Sequence, residues 1–187
     1  QIKRIGTGAF RSCASLSQID IPSQVEEIGR LAFDHCSSFT QVHIPHNVIR
    51  IGDNAFSNCS NLQIIELESG VKEVGKGCFW STNIKSINLP DSLESIGESA
   101  FHSCLELESI TIPDNVKEIK DYTFYGCKNL KEINLNRVEK LGENVFTDCE
   151  ALEEIELPVS LSDITGNAFE RCVNLKDVKV DKDSPYL

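Results

Sequence analysis

Phenylalanine recurs along this chain at nearly fixed intervals: Phe10, Phe33, Phe56, Phe79, Phe101, Phe124, Phe146 and Phe169 are separated by 23, 23, 23, 22, 23, 22 and 23 residues. A period of that length decides the fold class before any local propensity does. A unit of ~23 residues cannot enclose a core alone and must bury its apolar side chains against the copies before and after it. Three residues after the phenylalanines come Cys13, Cys36, Cys59, Cys104, Cys127, Cys149 and Cys172; the fourth unit alone lacks the cysteine, with Thr82 nearby. The consensus reads Ala-Phe-x-x-Cys-x-x-Leu-x-x-Ile-x-Ile-Pro-x-x-Val-x-x-Ile-Gly, and the stretch from Ala55 to Gly75 nearly spells it out. Almost every apolar residue falls in these columns, so nothing remains for a second core or a separate catalytic domain. The whole chain, 1–187, reads as a single array of eight coils. Two units are one residue short, one beside Thr82 and one where Leu135-Asn136-Arg137-Val138 replaces Ile-Pro-x-x-Val. Both deletions are expected in connections, where they cost least.

The alternation in Ile110-Thr111-Ile112 and Ile155-Glu156-Leu157 puts apolar residues on one side and polar ones on the other, the period-2 pattern of a half-buried strand. Pro22, Pro45, Pro90, Pro113 and Pro158 follow this strand and close it, since proline has no N–H to donate. The Val-x-x-Ile pair predicts a second short extended segment. Gly-x-x-Ala-Phe-x-x-Cys suits a tight helical or 3₁₀ turn. Glycine stands four residues before six of the phenylalanines (Gly6, Gly29, Gly52, Gly75, Gly97, Gly142), which predicts a turn requiring positive φ there. Parallel strands stacked at ~4.8 Å give a slab roughly 40 Å long. The chain begins without methionine and inside a repeat, so flanking repeats or caps are expected, as is end-to-end self-association of the uncapped ends.

With 18 Lys and Arg against 29 Asp and Glu, the formal charge of −11 repels phosphate backbones and anionic lipid, which excludes nucleic acid as a natural partner. No apolar run approaches the ~20 residues of a membrane-spanning helix, so direct membrane insertion is not expected. No two cysteines lie close enough in sequence for a zinc knuckle, and seven stacked in one column cannot all pair. They read as small buried hydrophobes beside each Phe, Cys78 in the Ala column included. The His-x-x-His pair of His43 and His46 is a weak metal signal, and its side chains read as solvent-exposed. Asn58-Cys59-Ser60 matches a glycosylation acceptor by chance. No nucleophile elbow, phosphate loop or zinc-protease helix occurs. The expectation is a protein without catalysis, metal or cofactor.

These columns resemble the BspA-like leucine-rich repeats, whose units read Leu-x-x-Ile-x-Ile-Pro-x-x-Val-x-x-Ile-Gly-x-x-Ala-Phe-x-x-Cys. The resemblance extends to the closing segment from Val180 to Tyr186. It implies a β-rich repeat solenoid, a leucine-rich-repeat array of about eight coils with a parallel strand wall, short second strands and 3₁₀ or helical turns. It also implies a protein-interaction or adhesion module at a microbial or protist surface, binding a host or neighbouring-cell protein. Unpaired thiols and the absence of a visible signal peptide leave room for an intracellular scaffold or regulatory domain instead.

Two surfaces stand out as candidate partner contacts. The outward positions of the strand wall include Asp20, His43, Ile64, Glu66, Glu132, Glu154 and Glu156, and across both outward columns six acids face the single Lys179. That composition suits a basic protein or peptide, or simply a solvated face. Directly after three successive phenylalanines come Trp80, His102 and Tyr125, with Tyr122 close by. Stacked in consecutive coils, they form either interface anchors or partly buried packing.

Overall fold

The computed structural model describes residues 2–180 as a stack of coils with parallel strands and, among those residues, no helix. The exit segment after Val180 lies outside the described residues. Each coil has three sides. The first carries the strands Gln41–Ile44, Ile64–Leu67, Ser109–Thr111, Glu132–Asn134, Glu154–Leu157 and Asp177–Val180, all pairing in parallel where they pair. The second carries two-residue strands from the Val-x-x-Ile pair, Arg4–Ile5 through Asp163–Ile164, as the sequence predicts. They form one ladder of five strands and another of three. Between the two sides the proline closes a turn: the carbonyl of Pro45 accepts from Val48 N–H at 3.0 Å, and Pro113 does the same for Val116.

The third side is a run of successive turns. Its N–H groups alternate. Those of Leu31, Phe33 and His35 donate to the next coil (Asp53, Ala55 and Ser57 carbonyls), while those of Ala32, Asp34 and Cys36 close turns onto the residue three back. This alternation gives each N–H from Leu31 to Cys36 a partner without a helix, and the i→i−3 closures have 3₁₀ spacing. It requires left-handed residues on either side of the phenylalanine, such as Asn54 (φ 54°) and Asn58 (φ 58°) around Phe56.

The column glycines therefore do not serve the purpose the sequence suggested. None of Gly6, Gly29, Gly52, Gly75, Gly97 and Gly142 has positive φ. Instead, the backbones of successive coils touch there: a Cβ on Gly52 would lie 2.8 Å from the Gly29 carbonyl carbon, and one on Gly75 would lie 2.6 Å from that of Gly52. Close approach, not handedness, excludes a side chain.

Phe33, Phe56, Phe79, Phe101, Phe124 and Phe146 are fully buried and stack along the axis, with centroids 5.1 to 6.0 Å apart. Burying each contributes about 1.5–3 kcal/mol, so this column and the Leu, Ile and Val columns around it hold the coils together. Each cysteine beside it is also a donor. Cys59 Sγ lies 3.1 Å from the Phe33 carbonyl, Cys104 Sγ 3.1 Å from Phe79 and Cys172 Sγ 3.0 Å from Phe146, one coil back in every case. Where the cysteine is missing, Thr82 Oγ1 donates instead to its own Phe79 at 2.9 Å. Cys13 is the exception to the buried reading: it is exposed, on the outer face of the first coil.

The two deletions are not silent. The first side is a ladder only in pieces: 41–44 pairs with 64–67, 109–111 with 132–134, and 154–157 with 177–180, with a lone bridge from Ser86 to Ser109. Its interruptions, after Leu67 and between Asn134 and Glu154, fall at the two steps of 22 residues. The hydrogen bond that leads into the strand, as from Gln63 N–H to Thr40 or Lys131 N–H to Glu108, is present at the 23-residue steps from Gln41 onward; the first coil, at Gln18–Ile21, carries no strand.

Candidate interaction surfaces

The outward residues of the strand wall divide into two groups. Asp20, His43, Ile64 and Glu66 occupy its N-terminal part, where Ile64 is half exposed and His43 stands opposite Glu66 in register. His43 and His46 both converge on one carboxylate. His43 Nε2 lies 2.9 Å from Glu68 Oε1, and Glu68 Oε2 accepts from the His46 backbone N–H at 2.7 Å, with His46 Nδ1 at 3.1 Å. Hydrogen bonding from His43, and then from His46, holds the Glu68 carboxyl below its ordinary range. Among the described residues, no group of three His, Cys, Asp or Glu side chains is placed to hold a metal ion.

Glu132, Glu154 and Glu156 lie together farther along, lining a broad concave groove of roughly 1480 Å³ with Asn88, Thr111 and Asn134 on its floor. The groove spans the interrupted ladder. Its electrostatics follow from how the coils pair their charges. Cations are taken by acids one coil away: Lys131 by Glu108 at 3.1 Å, Arg137 by Asp114 at 3.2 Å, Lys117 by Glu139 at 3.9 Å and Lys179 by Glu154 at 2.8 Å. Glu132 and Glu156 have no cationic partner among the described residues, so the groove keeps a net negative charge.

Trp80, His102 and Tyr125 are brought together on the third side. The indole and imidazole centroids are 4.7 Å apart and the imidazole and phenol 4.8 Å, with Tyr122 6.0 Å from Tyr125. Trp80 remains 40% exposed, whereas His102 is half buried between its two neighbours. Burial lowers the His102 pKa, and its Nδ1 meets Ser103 Oγ at 2.9 Å. In the neighbouring coils the same column turns inward. Asp34 is buried, with its Oδ1 accepting from Ser57 Oγ at 2.6 Å and Asn58 Nδ2 at 3.3 Å, and its Oδ2 from Arg11 Nε at 3.0 Å. Burial raises this carboxyl, but its hydrogen bonds from Ser57, His35, Asn58 and Arg11 outweigh that and hold it below its usual range. Asn58 is thereby occupied inside the network, which agrees with reading its glycosylation triplet as chance.

One participant was not visible in the sequence. Arg171, paired with Asp148, reaches back two coils so that Nη2 lies 3.4 Å from Tyr125 Oη. A 46-residue separation crosses two repeat periods, and column alignment alone relates only like positions.

The chain is matched over residues 1–108 and 72–186 by the model of the BspA type leucine rich repeat region, in six copies. Among solved structures, it is similar to the leucine rich repeat protein TpLRR of T. pallidum, at 34% identity with a TM-score of 0.77 over 81% of this chain and 72% of that one. A leucine rich cell surface protein of Faecalibacterium prausnitzii A2-165 aligns at 23% identity and TM-score 0.60 over 96% of this chain and 70% of its own length. The pneumococcal vaccine antigen PcpA aligns at 22% and TM-score 0.55, over 97% and 60%. At such identities the last two speak to fold alone. No curated protein matches the chain.

Proposed function

We propose, for a chain that belongs to the BspA-type leucine-rich repeat family, that it is a protein-binding module whose acidic strand wall takes a basic protein or peptide, and that it works in adhesion at a cell surface. The observation that carries the partner's charge is the unpaired state of Glu132 and Glu156 inside a groove whose cations are already committed to neighbouring coils. A cationic partner gains attraction there without breaking an existing pair, and the groove shape limits the exposure of that attraction to salt. Adhesion at a surface is what membership of the BspA-type repeat family suggests. The buried, hydrogen-bonded thiols remove one argument for an intracellular location, because shielded sulfur tolerates an oxidising medium. The repeat supplies a scaffold that displays variable surface residues, which supports a binding role.

The test is the binding of a decalysine peptide to the whole chain and to the Glu132→Gln, Glu154→Gln, Glu156→Gln triple variant, at low and high salt. Weaker binding by the variant, with a shallower salt dependence, supports the reading. Equal affinity and equal salt dependence would remove the groove as the site.

A further inference from the structure

We propose that Trp80, His102 and Tyr125 form a second docking surface, separate from the strand wall, that takes a proline-rich, lysine- or arginine-bearing segment of a partner protein. The ridge is not a requirement of the fold. The same column is filled by Ser57 and Thr147, both buried and hydrogen-bonded to neighbouring coils, and by Glu170 at the end. In three consecutive coils it instead carries rings that stay out of the core and stack on one another. The left-handed residues flanking these rings are short (Gly77, Ser81, Ser99, Ser103 and Gly126) except Tyr122, whose own ring packs against Tyr125. Trp, Tyr and Arg are the side chains that dominate binding hot spots, and here the stack and the Arg171 bond to Tyr125 order them before any partner arrives.

The kind of partner follows from spacing, donors and charge. The two centroid steps of 4.7 and 4.8 Å put Trp80 and Tyr125 two coils apart, at a separation that their sum limits to about 9.5 Å. Three residues of polyproline II advance about 9.3 Å, so one turn of that helix matches two coils. The polyproline backbone has unbonded carbonyls and needs donors. In the tautomer in which the Ser103 hydroxyl donates to His102 Nδ1, the imidazole offers Nε2–H as a donor, and the indole N–H of Trp80 is uncommitted among the described residues. Charge completes the match. The residues three before the phenylalanines in these three coils and the next are Lys76, Glu98, Asp121 and Glu143; Lys76 pairs with Glu98 at 2.9 Å, and among the described residues Asp121 and Glu143 have no cationic partner, so the row keeps a net negative charge. Tyr122, packed against Tyr125, joins this acidic row to the ridge.

Trp80 is the single tryptophan, so its fluorescence reports on the ridge alone. Titration of the whole chain with a lysine-flanked decaproline peptide should change that emission saturably. A lysine-flanked glycine–serine peptide of equal length and charge should not. Tyr125→Ala should raise the half-saturation concentration by about tenfold or more, while the Glu132, Glu154 and Glu156 variant leaves it unchanged. Should Tyr125→Ala melt at lower temperature, His102→Ser removes the middle ring with a side chain this column carries at Ser57, and the same tenfold loss is required of it. No saturable change with decaproline, an equal response to the glycine–serine peptide, or an unchanged half-saturation in the ring variants overturns the proposal.

Discussion

The thiol of Cys127 lies 3.1 Å from the carbonyl oxygen of Phe101, one coil back, and the pairing repeats up the stack as a ladder of S–H donors. Each sulfur is thus a core atom and a tie between coils. Burial pushes the Cys59 and Cys104 thiols up to about 12 and those of Cys127 and Cys149 well above the ordinary value. Thiolate, the reacting form, is therefore scarce at neutral pH. Cys13 alone is exposed among eight. A thiol-specific chromogenic reagent should find one fast-reacting sulfur in the folded protein and all eight after denaturation. Two or more fast thiols would contradict the ladder.

The same ladder predicts alkaline weakness. An acid whose folded pKa is raised contributes stability that is complete below its unfolded value and is lost as pH rises toward the folded one. For these thiols the window opens near the ordinary 9.0 and extends to about 11 for Cys36 and Cys172 and about 12 for Cys59 and Cys104. The urea midpoint should fall steadily as pH is raised above about 9, and the double replacement Cys59→Ala, Cys104→Ala should flatten that slope while lowering the midpoint at neutral pH.

Two glycines of one column should respond oppositely to the same substitution. A Cβ on Gly75 would stand 2.6 Å from Gly52 C and Asp53 N, backbone atoms that cannot retreat without opening the stack. Gly75→Ala should cost at least about 2 kcal/mol. Gly6 has nothing within 4 Å of that position and no positive φ, so Gly6→Ala should be neutral or stabilise by about 0.4–1 kcal/mol through the unfolded chain. Thermal melting of the two variants separates close approach from the need for a special φ. Similar losses in both would favour the latter.

That distinction also marks the limit of what the sequence could reveal. The solenoid was legible because every coil repeats the decision: Phe33, Phe56 and Phe79 share one environment, and an error at one position is corrected by the others. The stacking of Trp80, His102 and Tyr125 was legible for the same reason, being a matter of alignment. A glycine column does not say which of two physical demands it meets, and the positions with positive φ were hidden because Leu31, Asn54, Ser99 and Tyr122 hold them as well as Gly77. Side chains that reach between unlike columns, such as Glu68 clasping His43 and His46 or Arg171 meeting Tyr125, lie outside what a period can report.

The interruption between Asn134 and Glu154 should be repairable. In the fifth coil, Ile112-Pro113-Asp114-Asn115-Val116 connects the two walls; in the sixth, Leu135-Asn136-Arg137-Val138 does so with one residue fewer. Asn136 takes φ 43° there, and its side chain reaches the Ile112 carbonyl at 2.8 Å to close the shortened turn. Across the short link the second wall keeps its pairing of Glu118 with Lys140, while strand 154–157 pairs with 177–180 and not with 132–134. Inserting a proline after Leu135 restores the 23-residue step and lets the strand run on as its neighbour does. The amides of Glu154 and Glu156 should then exchange with solvent more slowly by about tenfold or more, the signature of joining a more stable cooperative unit. Unchanged exchange at those amides would show that the missing residue is not what parts the strands.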